Sequence, residues 1–167
     1  GDTIDIAMLD AALMLMSSTV TETALSRQAP GRHGNSNPSR AGYGCYDTAD
    51  GQLMIGAFTV RQAQALWRVL QQPERVSELD NASVAEMDSC YDSDRAALSR
   101  LLKEQSAEHW ENVLNAGGVA AARVRSVDEA LGHAQVASRD VVQTLTATAS
   151  DNEDSLQVTA TAWSGSA

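Results

Sequence analysis

The sequence predicts an α+β fold: an antiparallel sheet of hairpins packed with several helices, preceded by a long apolar N-terminal helix. Three observations predict it. Tyr43–Thr48 and Gln52–Phe58 are strand-like runs separated by Ala49-Asp50-Gly51, and Asp-Gly between such runs is a strong hairpin signal. Several later segments space their apolar residues at helical intervals. The order helix, hairpin, helices, hairpin lacks the regular strand–helix alternation of a doubly wound parallel sheet.

Each element has its own justification. From Asp2 to about Leu25, Ile4 and Ile6 alternate and a helix follows, in which AMLDAALMLM is apolar on nearly every face. Such a helix is expected to be buried on all sides or to lie in an interface. With so little chain to cover it, either it is the centre of the fold or its natural covering is absent, a first hint of truncation. Ser26 to Ala41 reads as loop, with Pro30, Gly31, Gly34, Asn35, Asn37 and Pro38 among three arginines and His33. Thr59 and Gln62 form a capping box for a helix to Gln72, with Ala63, Leu66, Trp67 and Leu70 as its stripe and Pro73 as its stop. Glu74 to Tyr91 is polar and poorly periodic. Helices are expected over Ser93–Glu104 and, capped by Ser106 and ended by Gly117-Gly118, over Ser106–Ala116. Val119–Val124 reads as a short extended piece, and Ser126 with Glu129 opens a helix through about Val136. Val141–Ala149 and Leu156–Trp163 alternate with period two around Asp151–Asp154, a second hairpin. The expected organisation is 1–28 apolar helix, 29–42 loop and 43–167 small α+β domain.

Composition limits the function classes. The chain has 167 residues, 43% apolar but only 4% aromatic, so aliphatic side chains supply most of the packing. The net charge of −10 opposes non-specific binding to nucleic acid or to an anionic membrane. An anionic ligand would need a local basic patch, and Arg27, Arg32 and Arg40 form the candidate cluster. Ile6–Met16 is too short to span a bilayer, which takes roughly 20 residues, and no positively charged leader is seen. The protein is read as cytoplasmic, which makes Asn81-Ala82-Ser83 an accidental glycosylation match. For Cys45 and Cys90, a buried thiol at Cys45 is the plain reading and a Cys45–Cys90 disulfide the alternative. No spacing suits a metal.

Residue by residue, the chemistry is sparse. Gly42-Tyr43-Gly44 lacks the third glycine and the helix of a dinucleotide loop, so it reads as strand glycine. His109 and His133 read as surface residues. His33 is either a surface loop residue or part of a ligand loop. Most paired carboxylates are solvated acids. Asp10, inside the apolar helix, is a paired core acid or an interface contact before it is a catalyst. The residues alone thus yield a candidate ligand loop and no catalytic constellation.

Several segments together carry a resemblance. Gly1–Ala12 resembles a Gly-Gln-x-Val-Asp-Val stretch that leads into an apolar helix in the family III coenzyme A transferases, the group of formyl-CoA and carnitine-type CoA transferases and α-methylacyl-CoA racemases. Gly34-Asn35-Ser36-Asn37-Pro38 with Tyr43 and Tyr46–Gly51 resembles that family's Gly-Asn-x-x-Pro and Tyr-x-Thr-x-Asp-Gly signature. Trp67, Trp110–Val124 and Val127–Asp140 match later motifs in the right order. The chain departs at Ala120, Arg123 and Ala134, where the family has proline, and over its last twenty residues.

The resemblance implies a small domain of a longer, interlocked dimeric enzyme, in which an aspartate attacks the acyl-CoA thioester and forms covalent intermediates. That aspartate precedes the matched region and has no counterpart here, so no catalytic residue is assigned. It also implies that the loop from Arg32 to Tyr43 covers the active site. By position Gly34, Asn35, Asn37 and Tyr43 would contact CoA or acyl substrate; with Arg32 and His33 of the same loop they are the substrate-binding candidates, with CoA or acyl-CoA as ligand, no covalent cofactor and no metal. A homodimer, or a partner chain over the first helix, is the expected assembly. The alternative is a self-standing oligomerisation or protein-binding module that uses the first helix. A complete small enzyme working around Asp10 or His33 is the third.

Overall fold

Asp50-Gly51 closes the hairpin that organises the molecule. In a computed structural model, which describes residues 1, 5–80, 82–139, 142–146 and 155–159, β1 (Tyr43–Asp47) pairs antiparallel with β2 (Gln52–Gly56), Cys45 opposite Met54. Asp50 does more than turn the chain. Its carboxylate accepts the Ala107 backbone N–H at 2.8 Å, at the start of α7 (Ala107–Ala116). The Ala49 N–H reaches Gln105 O at 3.0 Å. A negative charge there favours the helix N-terminus, so the hairpin and α7 fix one another.

The third strand, β3 (Ala121–Arg123), pairs antiparallel with β2. Val124 continues this edge by donating its N–H to Gln52 O at 2.8 Å. Arg125 just beyond is clamped by both Glu111 oxygens, at 3.0 and 2.7 Å. These bonds hold the Glu111 carboxyl below its ordinary range.

Alternation sorts the sheet into two faces. Tyr46, Leu53 and Ile55 point into the core, while Tyr43, Cys45, Gln52 and Met54 lie on the other face. Helices cover the core face. α3 (Val60–Val69) begins with the expected capping box at Thr59 and Gln62 and buries Ala63, Leu66 and Trp67. Leu98 of α6 (Tyr91–Leu101), Leu102 of the following 3-10 turn and Leu114 of α7 are fully buried with them. Each such leucine contributes about 1.5–3 kcal/mol of burial.

Where the sequence looked aperiodic, two short helices stand: α4 (Pro73–Glu78) and α5 (Val84–Ser89). Pro73 does not merely stop α3; it opens α4, where its missing N–H is harmless. Arg75 of α4 grips Asp94 of α6 with two bonds of 2.8 Å, pairing the one buried carboxylate among the described residues. The helix expected through Val136 is divided into α8 (Val127–Leu131) and α9 (Ala134–Ser138). Gly132 ends the first, and the His133 ring accepts the Gln135 N–H to cap the second. In the second hairpin, β4 (Val142–Thr146) pairs antiparallel with β5 (Ser155–Thr159). The expected ends of this hairpin and its Asp151–Asp154 turn lie outside the described residues, as do Ile4, Val141 and Trp163.

The long apolar N-terminal helix is not found. Two short helices occupy the segment, α1 (Met8–Leu15) and α2 (Ser17–Ser26), broken at Met16. The run SSTVTET follows the break and forms most of α2. Thr21 and Thr23 turn their hydroxyls onto carbonyls four residues back, at 2.9 and 2.8 Å, in a stretch of weak helix formers. Neither helix buries a residue in this chain: Met8 is 88% and Leu15 90% exposed. Asp10 is likewise exposed, not a paired core acid. Among the described residues no helix is long and apolar enough to cross a membrane.

Candidate functional site

The loop is built onto the edge of β1. α2 ends at Arg27 in the left-handed conformation, φ 56°. A turn follows at 33–36, where Gly34 has φ +57° and the Ser36 N–H and hydroxyl both donate to His33 O. Gly34 takes this conformation without the Cβ penalty other residues would meet. From there the loop runs antiparallel to β1. Cys45 N–H donates to Asn35 O at 2.7 Å, Asn37 N–H donates to Tyr43 O at 3.0 Å, and Ser36 bridges to Gly44. Such closeness requires Gly44: a Cβ there would stand 3.1 Å from Asn35 O and from Ser36 Cα. Of the Gly-x-Gly, Gly44 is strand glycine serving backbone packing, while Gly42 stands in the turn before β1. Asn37 Oδ1 accepts the Ser39 N–H and hydroxyl, at 2.9 and 3.1 Å, and fixes the exit of the loop.

Between this loop and the open sheet face lies a groove of about 490 Å³. That volume is in the range of small-molecule sites. Its walls are Gly34 to Pro38 on one side and Tyr43, Gly44, Cys45, Gln52, Met54 and Val124 on the other. Of the six candidates from the sequence, the structure brings together Gly34, Asn35, Asn37 and Tyr43. Arg32 and His33 are exposed and outside the lining. Tyr43 packs edge-on against Phe58, ring centroids 5.8 Å apart.

The basic cluster does not form at the groove. Arg40 is buried: its guanidinium pairs with Asp88 of α5, donates to Ser39 O and lies over the Phe58 ring. Arg27 and Arg32 are not part of the lining. Beneath β1, Tyr46 donates its hydroxyl to Ala41 O, with the Arg95 guanidinium over its ring. Burial pushes its phenol up to about 12, against the opposing pull of Arg95. It faces the core, so it is a packing residue.

Gly44, Cys45, Gln52, Met54 and Val124 of the groove were not among the sequence candidates. Period-two alternation could have found them. With Asp50-Gly51 fixing the register, Cys45 must face Met54, and Gln52 and Tyr43 must share their side. Cys45 and Cys90 are free, half-buried thiols and form no disulfide. Among the described residues no group of His, Cys, Asp or Glu is placed to hold a metal ion.

Similarity to known proteins extends over the whole chain. Residues 1–166 match CoA-transferase family III. The acetyl-CoA:oxalate CoA-transferase of Acetobacter aceti is 28% identical over 144 residues, 85% of this chain and 36% of that protein. A succinyl-CoA:mesaconate CoA-transferase of Haloarcula marismortui is 32% identical over 82 residues, 49% of this chain and 21% of that protein. The chain thus spans about a third or less of the length of these relatives. Among solved structures, Rv3272 of M. tuberculosis superposes with a TM-score of 0.75 at 21% identity, covering 99% of this chain and 42% of that one. A CAIB/BAIF family protein of Brucella suis gives 0.62 at 24%, covering 86% and 38%. At these identities the likeness concerns the fold.

Proposed function

Because the chain belongs to CoA-transferase family III, we propose that its groove forms one wall of an acyl-CoA site whose reacting groups come from outside this chain. The observation that carries this reading is the groove itself, in which a sheet-docked loop collects Gly34, Asn35, Asn37 and Tyr43 beside an open strand face. The family acts on CoA thioesters, and the relatives named above move CoA between carboxylic acids. Among the described residues no nucleophile with an adjacent base lines the groove, and this reading assigns binding to the chain and transfer to groups outside it. The site is read as cytoplasmic, where CoA thioesters are used.

Calorimetric titration with CoA and acetyl-CoA tests it. Micromolar binding is expected, weakened about tenfold, or 1.4 kcal/mol, by Asn35→Ala and by Tyr43→Ala. No heat at millimolar ligand would contradict the reading. So would transfer from acetyl-CoA to oxalate, at an enzyme-like rate, by this chain alone.

A second reading concerns partners. The exposure of Ile6, Met8, Leu9, Met14 and Leu15 on one short segment supports a second copy, or a partner chain, over α1. This cover is compatible with the first reading, because the groove lies elsewhere in the sequence.

A further inference from the structure

We propose that the groove beside residues 34–38 recognises the uncharged, amide-bearing pantetheine arm of a CoA thioester, and neither its phosphates nor a carboxylate on its acyl group. This rests on the reading of the groove as a CoA-thioester site.

None of the eleven lining residues is Asp, Glu, Lys, Arg or His. A phosphate or carboxylate entering would lose water and gain no opposite charge. Arg32 and Arg40 each stand two residues from the lining in sequence; Arg32 is exposed and outside it, and Arg40 is turned into the core and already paired with Asp88. The Asn37 and Cys45 N–H groups are spent on Tyr43 O and Asn35 O and are not available to an anion.

The remaining polar groups are neutral and of both kinds. Asn37 commits Oδ1 to Ser39, which leaves its amide N–H groups as donors. Gln52 commits Nε2 to Asp47 at 3.0 Å, which leaves its side-chain oxygen as an acceptor. Among the described residues no hydrogen bond engages the Asn35 side chain, so it offers a donor and an acceptor together. Between these lie apolar surfaces that are partly open to solvent: Tyr43, Met54 and Val124. A ligand that satisfies this lining carries amide N–H and C=O groups separated by short methylene runs. That is the chemistry of the pantetheine arm.

Cys45 provides the readout, since its thiol is free, half-buried and in the lining, while Cys90, also free and half-buried, lies outside it. The intact chain is alkylated with iodoacetamide, and both thiols are followed by mass spectrometry. The probes are S-methyl-CoA, S-methylpantetheine and adenosine 3′,5′-bisphosphate; the methyl group removes the competing thiol. S-methyl-CoA and S-methylpantetheine are expected to slow labelling of Cys45 but not Cys90, equally at low and high salt, and the bisphosphate is expected to do nothing. Asn35→Ala and Met54→Glu, both at exposed positions, should each raise the half-protecting concentration of S-methylpantetheine about tenfold. Protection by S-methyl-CoA and the bisphosphate but not by S-methylpantetheine would overturn the inference and leave the CoA site standing. No protection by S-methyl-CoA would overturn both.

Discussion

A Cβ at Gly117 would stand 2.2 Å from Val69 Cγ2, closer than any real contact. This glycine lets the end of α7 lie against α3. Gly117→Ala is therefore expected to cost about 1–3 kcal/mol, despite alanine's better helix propensity. Urea denaturation checks it, and an unchanged midpoint would mean that the two helices do not meet as described. Tyr46 carries a different signature. Its phenol is raised from 10.0 to about 12, chiefly by burial. Below pH 10 both folded and unfolded chains hold the proton, and stability is unaffected by this group. Above pH 10 the unfolded phenol ionises first and draws the chain toward unfolding, until the folded phenol titrates near pH 12. The urea midpoint should thus fall between these values. Tyr46→Phe should flatten that fall, while losing about 1 kcal/mol with the Ala41 hydrogen bond.

At the scale of elements, legibility followed the strength of local signals. The Thr59–Gln62 box, the Ser106 cap and the Asp50-Gly51 turn each stood where the residues placed them, because each is a contact between near neighbours in sequence. α4 and α5 were not legible from apolar spacing, although Ser83 and Glu86 form a capping box as good as the others. Such short helices draw their stability from packing and ion pairs such as Arg75–Asp94. The loop's docking on β1 depends on backbone bonds across about eight residues and leaves no periodic trace. Four of the six candidate residues line the groove. Arg32 and His33 fell outside because the chain reaches the strand only at Asn35. If the loop is docked, the Asn37 amide exchanges with solvent as slowly as the β1–β2 ladder. Exchange as fast as at Gln28, whose N–H meets only the Ser26 hydroxyl, would remove one wall of the groove.

At the scale of the molecule, core and periphery differ. β1 to β3 with α3, α6 and α7 enclose a continuous apolar core. α1 and α2 bury nothing in this chain. The apolar pattern of the first helix was legible; its break was not, because the hydroxyl-rich run follows the break rather than spanning it. If α1 is covered by a second copy, mass measured by sedimentation rises with concentration, and Leu9→Glu with Met14→Lys restores the monomer without lowering the stability of the core. A monomer at all concentrations would contradict self-association.

The chain is proposed to meet a CoA thioester in one groove. The most direct test is an amide NMR titration of the intact chain with acetyl-CoA. Shifts are expected to concentrate at 34–37, 43–45, 52–54 and 124, with the α4–α5 region unmoved. Shifts elsewhere with this groove silent, or none at all, would contradict it.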